Sequence, residues 1–254
     1  MNIEYYLADP AGNITALVTS PVSRGDYKTV AKVIMERQKS VEQVGFVTFS
    51  EKAVYLNMSG DEFCGNAAMS AAALYGALSG KSGRFQTGVY VFGTANPVKT
   101  AVTVKEGYFA CECEIEKPKS LSEVTFCAQG GQYRFPIVHF EGISHILADS
   151  SLSENAAAGA IKDIAGKLGV KALGIMILSG DKTRMKPIVY VPGVDTLFYE
   201  NSCASGSCAA AAVLCRAGEK ITLKQPGGEI SAENADNMRL FSKVKISKLC
   251  SEEL

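Results

Sequence analysis

Two alanine-rich stretches decide how this chain folds: CGNAAMSAAAL at residues 64–74 and CASGSCAAAAV at residues 203–213. Each begins with a cysteine and continues into a run of alanines, which favours helix. Both stretches have little polar surface, so each helix is expected to be buried on all sides. About half the length of the chain separates them, which suggests that one structural unit occurs twice.

The elements around these stretches follow the same order in each half. The first half predicts strands, a helix with one apolar face at residues 24–37, more strands and then the alanine-rich helix at residues 64–78. The second half predicts strands, a helix at residues 154–168, further strands, a turn-rich segment and an alanine-rich helix at about residues 205–217. Two repeats are too few for a solenoid, so a pair of similar domains is favoured.

A polar segment, KPKS at residues 117–120, marks the expected boundary between these domains. The sequence therefore predicts an N-terminal domain at residues 1–118 and a C-terminal domain at residues 119–244. A tail of about residues 245–254 could return to the first domain. The predicted class is α/β (α+β), since helices and strands alternate in both halves.

Composition narrows the possible partners and the compartment. The 254 residues contain 26 Lys plus Arg and 26 Asp plus Glu, and 47% are hydrophobic. A balanced charge argues against nucleic acid or an acidic membrane as the main partner. Neither a signal peptide nor a bilayer-spanning stretch is visible. Eight cysteines are far fewer than a disulfide-stapled secreted scaffold has, so a cytoplasmic protein with reduced thiols is expected.

The position of the two leading cysteines points to acid–base chemistry. A helix N-terminus carries partial positive charge, which favours the thiolate form of a cysteine and can also hold a carboxylate. If the two helix starts converge on one substrate, a thiolate can take the proton next to a carboxylate while a thiol returns a proton to the opposite face. This reaction requires no cofactor if the carboxylate is held well and water is excluded. The sequence therefore predicts inversion at a carbon next to a carboxylate, with Cys64 and Cys203 as acid and base.

At these positions the sequence resembles the diaminopimelate epimerase family of cofactor-independent two-cysteine racemases and epimerases. CGN at residues 64–66 is similar to the family's first catalytic motif, Cys-Gly-Asn. CASGSCA at residues 203–209 is similar to its second, Cys-Gly-(Ser/Thr)-Gly-Ala-Cys-Ala. GN at residues 12–13 and YE at residues 199–200 correspond to parts of its Gly-Asn-Asp and Tyr-Glu-Arg-Gly segments. The resemblance extends over nearly the whole chain.

The resemblance implies two domains, each a curved and mostly antiparallel sheet or barrel around a central helix. It implies catalysis by Cys64 and Cys203, without a cofactor or metal, on an amino acid as a small-molecule substrate. Backbone N–H groups at the helix starts would hold the substrate carboxylate, and a glutamate would hold its amino group. The substrate-binding residues implied in this way are Asn13, Gly65, Asn66, His145, Glu200, Asn201, Ala204 and Ser205.

Departures from the family pattern bear on the substrate. Asn201 stands where the epimerase has an arginine that grips the distal end of diaminopimelate, and GISH at residues 142–145 replaces Gly-Asn-Pro-His. Without a bidentate arginine, a smaller or neutral side chain is favoured. The cofactor-independent histidine racemases are the suggested branch. His145 could instead have a structural, hydrogen-bonded role.

Several alternatives remain open from the sequence. The protein could be a diaminopimelate epimerase, a non-catalytic amino-acid-binding or thiol-redox protein, or a phenazine-biosynthesis-type isomerase, although those isomerases use a carboxylate base in place of cysteine. The other six cysteines are expected to be ordinary core or surface thiols. With only two histidines a zinc site is not expected. A homodimer is compatible with the sequence.

Overall fold

The computed structural model describes residues 2–50, 53–61, 63–91 and 96–253. The chain folds into two compact units, one made of Met1–Ile115 with Leu240–Leu254 and the other of Glu116–Arg239. The helices and strands are, in chain order, β1 (Asn2–Pro10), β2 (Thr15–Val18), α1 (Tyr27–Arg37), β3 (Gln43–Phe49), β4 (Ala53–Met58), α2 (Gly65–Leu78), β5 (Arg84–Val91), β6 (Val98–Lys105), β7 (Tyr108–Ile115), β8 (Ser120–Ala128), β9 (Gly131–His139), β10 (Ser144–Ala148), α3 (Glu154–Leu168), β11 (Leu173–Leu178), β12 (Met185–Val191), β13 (Thr196–Tyr199), α4 (Ala204–Leu214), β14 (Lys220–Gln225), β15 (Gly228–Asn234) and β16 (Met238–Glu253).

The first unit is a closed sheet around a helix. Its strands are hydrogen-bonded in the order β1-β2-β3-β4-β5-β6-β7-β16, and β16 also pairs with β1. Helix α2 packs against all seven strands from β1 to β7, and every residue from its start to Gly76 is buried. Short side chains allow this close approach: a Cβ added at Gly76 would come within 2.5 Å of the Phe85 ring. Helix α1 packs on the opposite face of the sheet, where its apolar residues join a separate cluster with Ile3 and Tyr5.

The second unit is a six-stranded sheet with a helix on each face. Its strand order is β13-β12-β11-β10-β9-β8, and all neighbours are antiparallel except β10 and β11. Because side chains alternate along a strand, Ile146 faces α3 and Leu147 faces the cluster that contains residues of α4. Helix α4 also packs against the β14–β15 hairpin. This alanine-rich helix therefore lies between the sheet and the hairpin.

The predicted fold class is confirmed, because both alanine-rich segments form central helices packed against mostly antiparallel strands. Two helix bounds differ from the prediction. Residues 24–26 form a 3₁₀ turn ahead of α1, and α4 ends at Leu214 instead of continuing to residue 217. The helix ends because Cys215 adopts an extended conformation and its carbonyl accepts a hydrogen bond from Asn234 Nδ2 at 2.9 Å.

None of the described helices combines the length and the apolar character that a bilayer span requires.

Candidate active site

Cys64 and Cys203 cap their helices in the same way. Cys64 has φ −136° and ψ 114°, and Cys203 has φ −126° and ψ 112°. In α2 the sulfur accepts the N–H of Ala67 at 3.4 Å, and in α4 the sulfur accepts the N–H of Gly206 at 3.3 Å. Each sulfur thus sits at a helix N-terminus, where the peptide dipoles stabilise negative charge.

The residues that follow each cysteine occupy equivalent positions in the first helical turn. The N–H of the fourth residue bonds to the cysteine carbonyl at 3.0 Å in both helices, so regular helix bonding begins there. The earlier N–H groups, at Gly65 and Asn66 in α2 and at Ala204 and Ser205 in α4, lie at the end of the helix where backbone donors typically meet an anion. Each helix start therefore combines an ionisable sulfur with donors suited to a carboxylate.

Gln225 fixes the backbone at Cys203. Its Oε1 accepts the Cys203 N–H at 2.8 Å, and its Nε2 donates to Ser207 Oγ at 2.9 Å. Ser207 in turn donates to the carbonyl of Cys203 at 2.8 Å. Gln225 comes from β14 and is buried, so a strand outside the motif holds the turn that presents the sulfur. No sequence motif pointed to Gln225.

Burial and a neighbouring carboxylate keep Cys203 protonated. Desolvation raises the pKa of its thiol well above the usual value, and the negative charge of Glu200 raises it further. The Gly206 N–H and the Ser205 hydroxyl act in the opposite direction, because they bond to the sulfur. Cys203 is therefore a thiol, and a positive charge near Glu200 would make its ionisation easier.

His145 and Ser205 lie beside this thiol. His145 Nε2 is 2.8 Å from Ser205 Oγ, and Ser205 Oγ is 3.7 Å from Cys203 Sγ. Ser205 is half-buried, whereas His145 is fully buried and exposes no ring atom to a substrate. Burial lowers the pKa of His145 to about 3, so its ring is neutral near pH 7.

The remaining predicted residues take other positions. Asn13 is buried beside β3, where its Nδ2 donates to Glu42 Oε2 and its Oδ1 accepts from Gln43 Nε2, both at 2.6 Å. Asn201 is exposed, and its carbonyl accepts the N–H of Gly227 at 2.9 Å. The structure thus groups His145, Glu200 and Ser205 around Cys203 in the second unit. Gly65 and Asn66 directly follow Cys64 in the first.

Comparison with known proteins identifies the family. Residues 2–251 match the family described as the histidine racemase CntK N-terminal domain. The chain belongs to this family. A histidine racemase from Fusobacterium nucleatum is 30% identical over 258 residues, covering 96% of this chain and 94% of the relative. A histidine racemase from Staphylococcus aureus is 26% identical over 247 residues, covering 90% and 87%.

A solved structure agrees on the fold. It is described as a predicted epimerase from Pseudomonas aeruginosa and superimposes with a TM-score of 0.69. The alignment covers 99% of both chains at 14% sequence identity. Membership of the family confirms the resemblance seen in the two cysteine motifs, and this protein is an isomerase of the amino-acid racemase and epimerase class.

Proposed function

We propose that this racemase inverts the Cα of its substrate by a two-base mechanism in which Cys64 and Cys203 act on opposite faces. The observation that carries the proposal is the matched geometry of the two caps, with each sulfur on the third N–H of a buried helix. Two structural thiols would have no reason to share the same position at a helix N-terminus, whereas a pair of acid–base groups would. Family membership supports the class of reaction.

The proposed step moves one proton off the substrate and one onto it. A thiolate takes the Cα proton, and the electron pair of the C–H bond passes into the carboxylate to give an enediolate. Backbone N–H groups at the helix starts stabilise the charge that develops on its oxygens. The second cysteine then donates its thiol proton to the opposite face of Cα, and the electron pair returns to form the inverted centre. The sulfur of this second cysteine then carries the negative charge.

The raised pKa of Cys203 supports a starting role for this residue as the proton donor. Because its pKa is raised, Cys203 begins as the proton donor and Cys64 as the base in that direction. In the reverse direction Cys203 must ionise. The ammonium group of a bound amino acid beside Glu200 would offset the carboxylate charge that opposes this ionisation. Glu200 therefore has two proposed roles, holding the substrate amino group and adjusting the acidity of Cys203.

Histidine is the proposed substrate. Both curated relatives are histidine racemases and match nearly the full chain. The neutral side chain of Asn201 agrees with a substrate that lacks a distal carboxylate. No cofactor or metal takes part in the proposed steps.

The proposal is tested by incubating the protein with L- and D-histidine in D₂O. We expect Cα deuterium incorporation together with inversion, measured by mass spectrometry and chiral chromatography. A panel of the other proteinogenic amino acids and diaminopimelate defines the substrate range. Binding measured by calorimetry without exchange of any of these compounds would contradict a racemase.

Cysteine variants test the mechanism. Cys64→Ser and Cys203→Ser should each lower the rate of inversion by at least about 100-fold, because a positioned acid or base contributes at least that much. Cys111→Ala is the matched control, since this buried thiol lies in β7 and desolvation raises its pKa, which leaves it un-ionised. Equal activity in all three variants would contradict the two-cysteine mechanism.

A further inference from the structure

The Ser205 hydroxyl lies between a buried imidazole and the sulfur of Cys203. Its Oγ is 2.8 Å from His145 Nε2 and 3.7 Å from Cys203 Sγ, within the range of a hydrogen bond to sulfur. A hydroxyl has one proton to give and lone pairs that accept. The direction of this hydrogen-bond chain therefore depends on which imidazole nitrogen carries the proton.

The surroundings of the other ring nitrogen decide that question. His145 Nδ1 is buried and has no hydrogen-bond partner among the described residues. It lies against the backbone of Gly174, where an added Cβ would come within 2.3 Å of it. A bare lone pair can face the C–H of a glycine, whereas a buried N–H without an acceptor is the costlier arrangement. The neutral ring therefore carries its proton on Nε2.

The rest of the chain follows from this tautomer. The Nε2–H donates to Ser205 Oγ, so the oxygen is already an acceptor on that side. Its own O–H is then free to point at Cys203 Sγ, where it donates to the sulfur. A hydroxyl held this way stabilises the thiolate, since a donor to a charged acceptor bonds more strongly than one to a neutral acceptor.

We propose that His145 is a positioning residue for Cys203: it orients the Ser205 hydroxyl so that the hydroxyl donates to the Cys203 thiolate when this cysteine acts as the base. The proposal rests on the two-cysteine function proposed above. His145 itself neither touches the substrate nor takes up a proton during the reaction. Gly174 is part of the same arrangement, because a side chain at this position would displace the ring.

The ionisation of Cys203 itself provides the test. Alkylation by iodoacetamide is followed against pH in the full-length protein, and each cysteine is resolved by peptide mass spectrometry. In Ser205→Ala and in His145→Leu the midpoint for Cys203 should rise by about one pH unit, the equivalent of one hydrogen bond to a charged group. The midpoint for Cys64 in the same molecules should not change. His145→Gln, which retains an amide donor, should restore most of the shift.

Racemisation kinetics provide an independent readout. Ser205→Ala keeps the backbone N–H at this position, so kcat should fall about tenfold with little change in KM. His145→Leu should lower kcat in the wild-type background and have no further effect in the Ser205→Ala background. An equal further loss in that double variant would show that the histidine acts through packing alone, and would overturn the proposal.

The alkylation readout separates this proposal from the function on which it rests. It requires no turnover, so an unchanged Cys203 midpoint in Ser205→Ala overturns the positioning role whether or not the protein racemises histidine. A raised midpoint supports the hydrogen-bond chain even if another amino acid proves to be the substrate. Should His145→Leu fold poorly, Ser205→Ala and Ser205→Thr decide the matter: the first should raise the midpoint and the second should restore it.

Discussion

The buried ring of His145 makes the stability of the protein depend on pH. Burial lowers the pKa of this histidine from 6.5 to about 3, so in this range the unfolded chain binds a proton that the folded chain does not. The neutral ring of His145 therefore does not lower the free energy of unfolding above about pH 6.5. As the pH falls below that value, protonation of the unfolded chain lowers it progressively. Between about pH 6.5 and pH 4.5 this single group should remove about 2 to 3 kcal/mol from the free energy of unfolding.

Replacing His145 with glutamine should remove that part of the acid sensitivity. Urea unfolding at several pH values, compared between wild type and His145→Gln, measures it. Above about pH 7 the ring is neutral in both the folded and unfolded states, so the difference between the two proteins should be constant there. If the two curves ran parallel down to pH 4.5, the buried neutral ring would be ruled out.

At the scale of single residues, the sequence predicted the cysteine motifs more readily than the residues that support them. Cys64 and Cys203 stood out because each begins an alanine-rich stretch and because both fit one known pattern. The role of Gln225 could not be predicted from the sequence, because this residue is 22 positions from Cys203 and its contact depends on where β14 packs. The contact between His145 and Ser205 joins residues 60 positions apart and was equally hidden.

At the scale of the helix, a cysteine at the N-cap position is replaceable as a cap although not as an acid or base. Serine is among the preferred N-cap residues, because its hydroxyl accepts the same N–H that the Cys64 sulfur accepts from Ala67. Cys64→Ser should therefore keep the stability of the wild type, whereas Cys64→Ala should lose about 1 kcal/mol. Urea unfolding measures both variants. Equal stability of the two would show that the sulfur contributes nothing as a cap.

Helices with a clear pattern were predicted well, whereas the short strand β10 was not. Helix α3 was predicted with the bounds it has, since Ser153 caps its start and Gly169, at φ 63°, ends it. Strand β10 was not predicted, because it has only five residues and begins with the polar pair Ser144 and His145. Its parallel pairing with β11 buries all five residues, and that pairing is a tertiary feature which a local pattern does not reveal.

For the molecule as a whole, the end of the chain determines whether the sheet of the first unit is closed. Residues 244–253 of β16 pair antiparallel with β1, from Pro10–Val244 to Asn2–Glu253. The sequence suggested only a returning tail of about residues 245–254, and in the structure none of residues 247–253 is fully buried. Backbone pairing holds this strand where side-chain burial does not.

Contacts at the end of β16 add to that pairing. Arg37 of α1 donates to Glu252 at 2.7 Å, and Tyr5 of β1 donates to the same carboxylate at 3.2 Å. Burial raises the pKa of Tyr5 to about 12, and the neighbouring charge of Glu252 contributes to the shift. The last residues of the strand thus connect to both the sheet and the helix that covers its outer face.

Removing residues 247–254 should therefore open the closed sheet. Strand β1 would keep its bonds to β2 and lose most of those to β16, which leaves an unpaired edge beside buried Ile3 and Tyr5. We expect faster hydrogen exchange at the amides of β1 that bond to β16, and a lower midpoint of thermal unfolding than in the full chain. A chain that lacks only residue 254 is the control and should behave as wild type. Unchanged protection of β1 in the shorter chain would show that β2 alone holds this strand, and that closure of the sheet does not contribute to its stability.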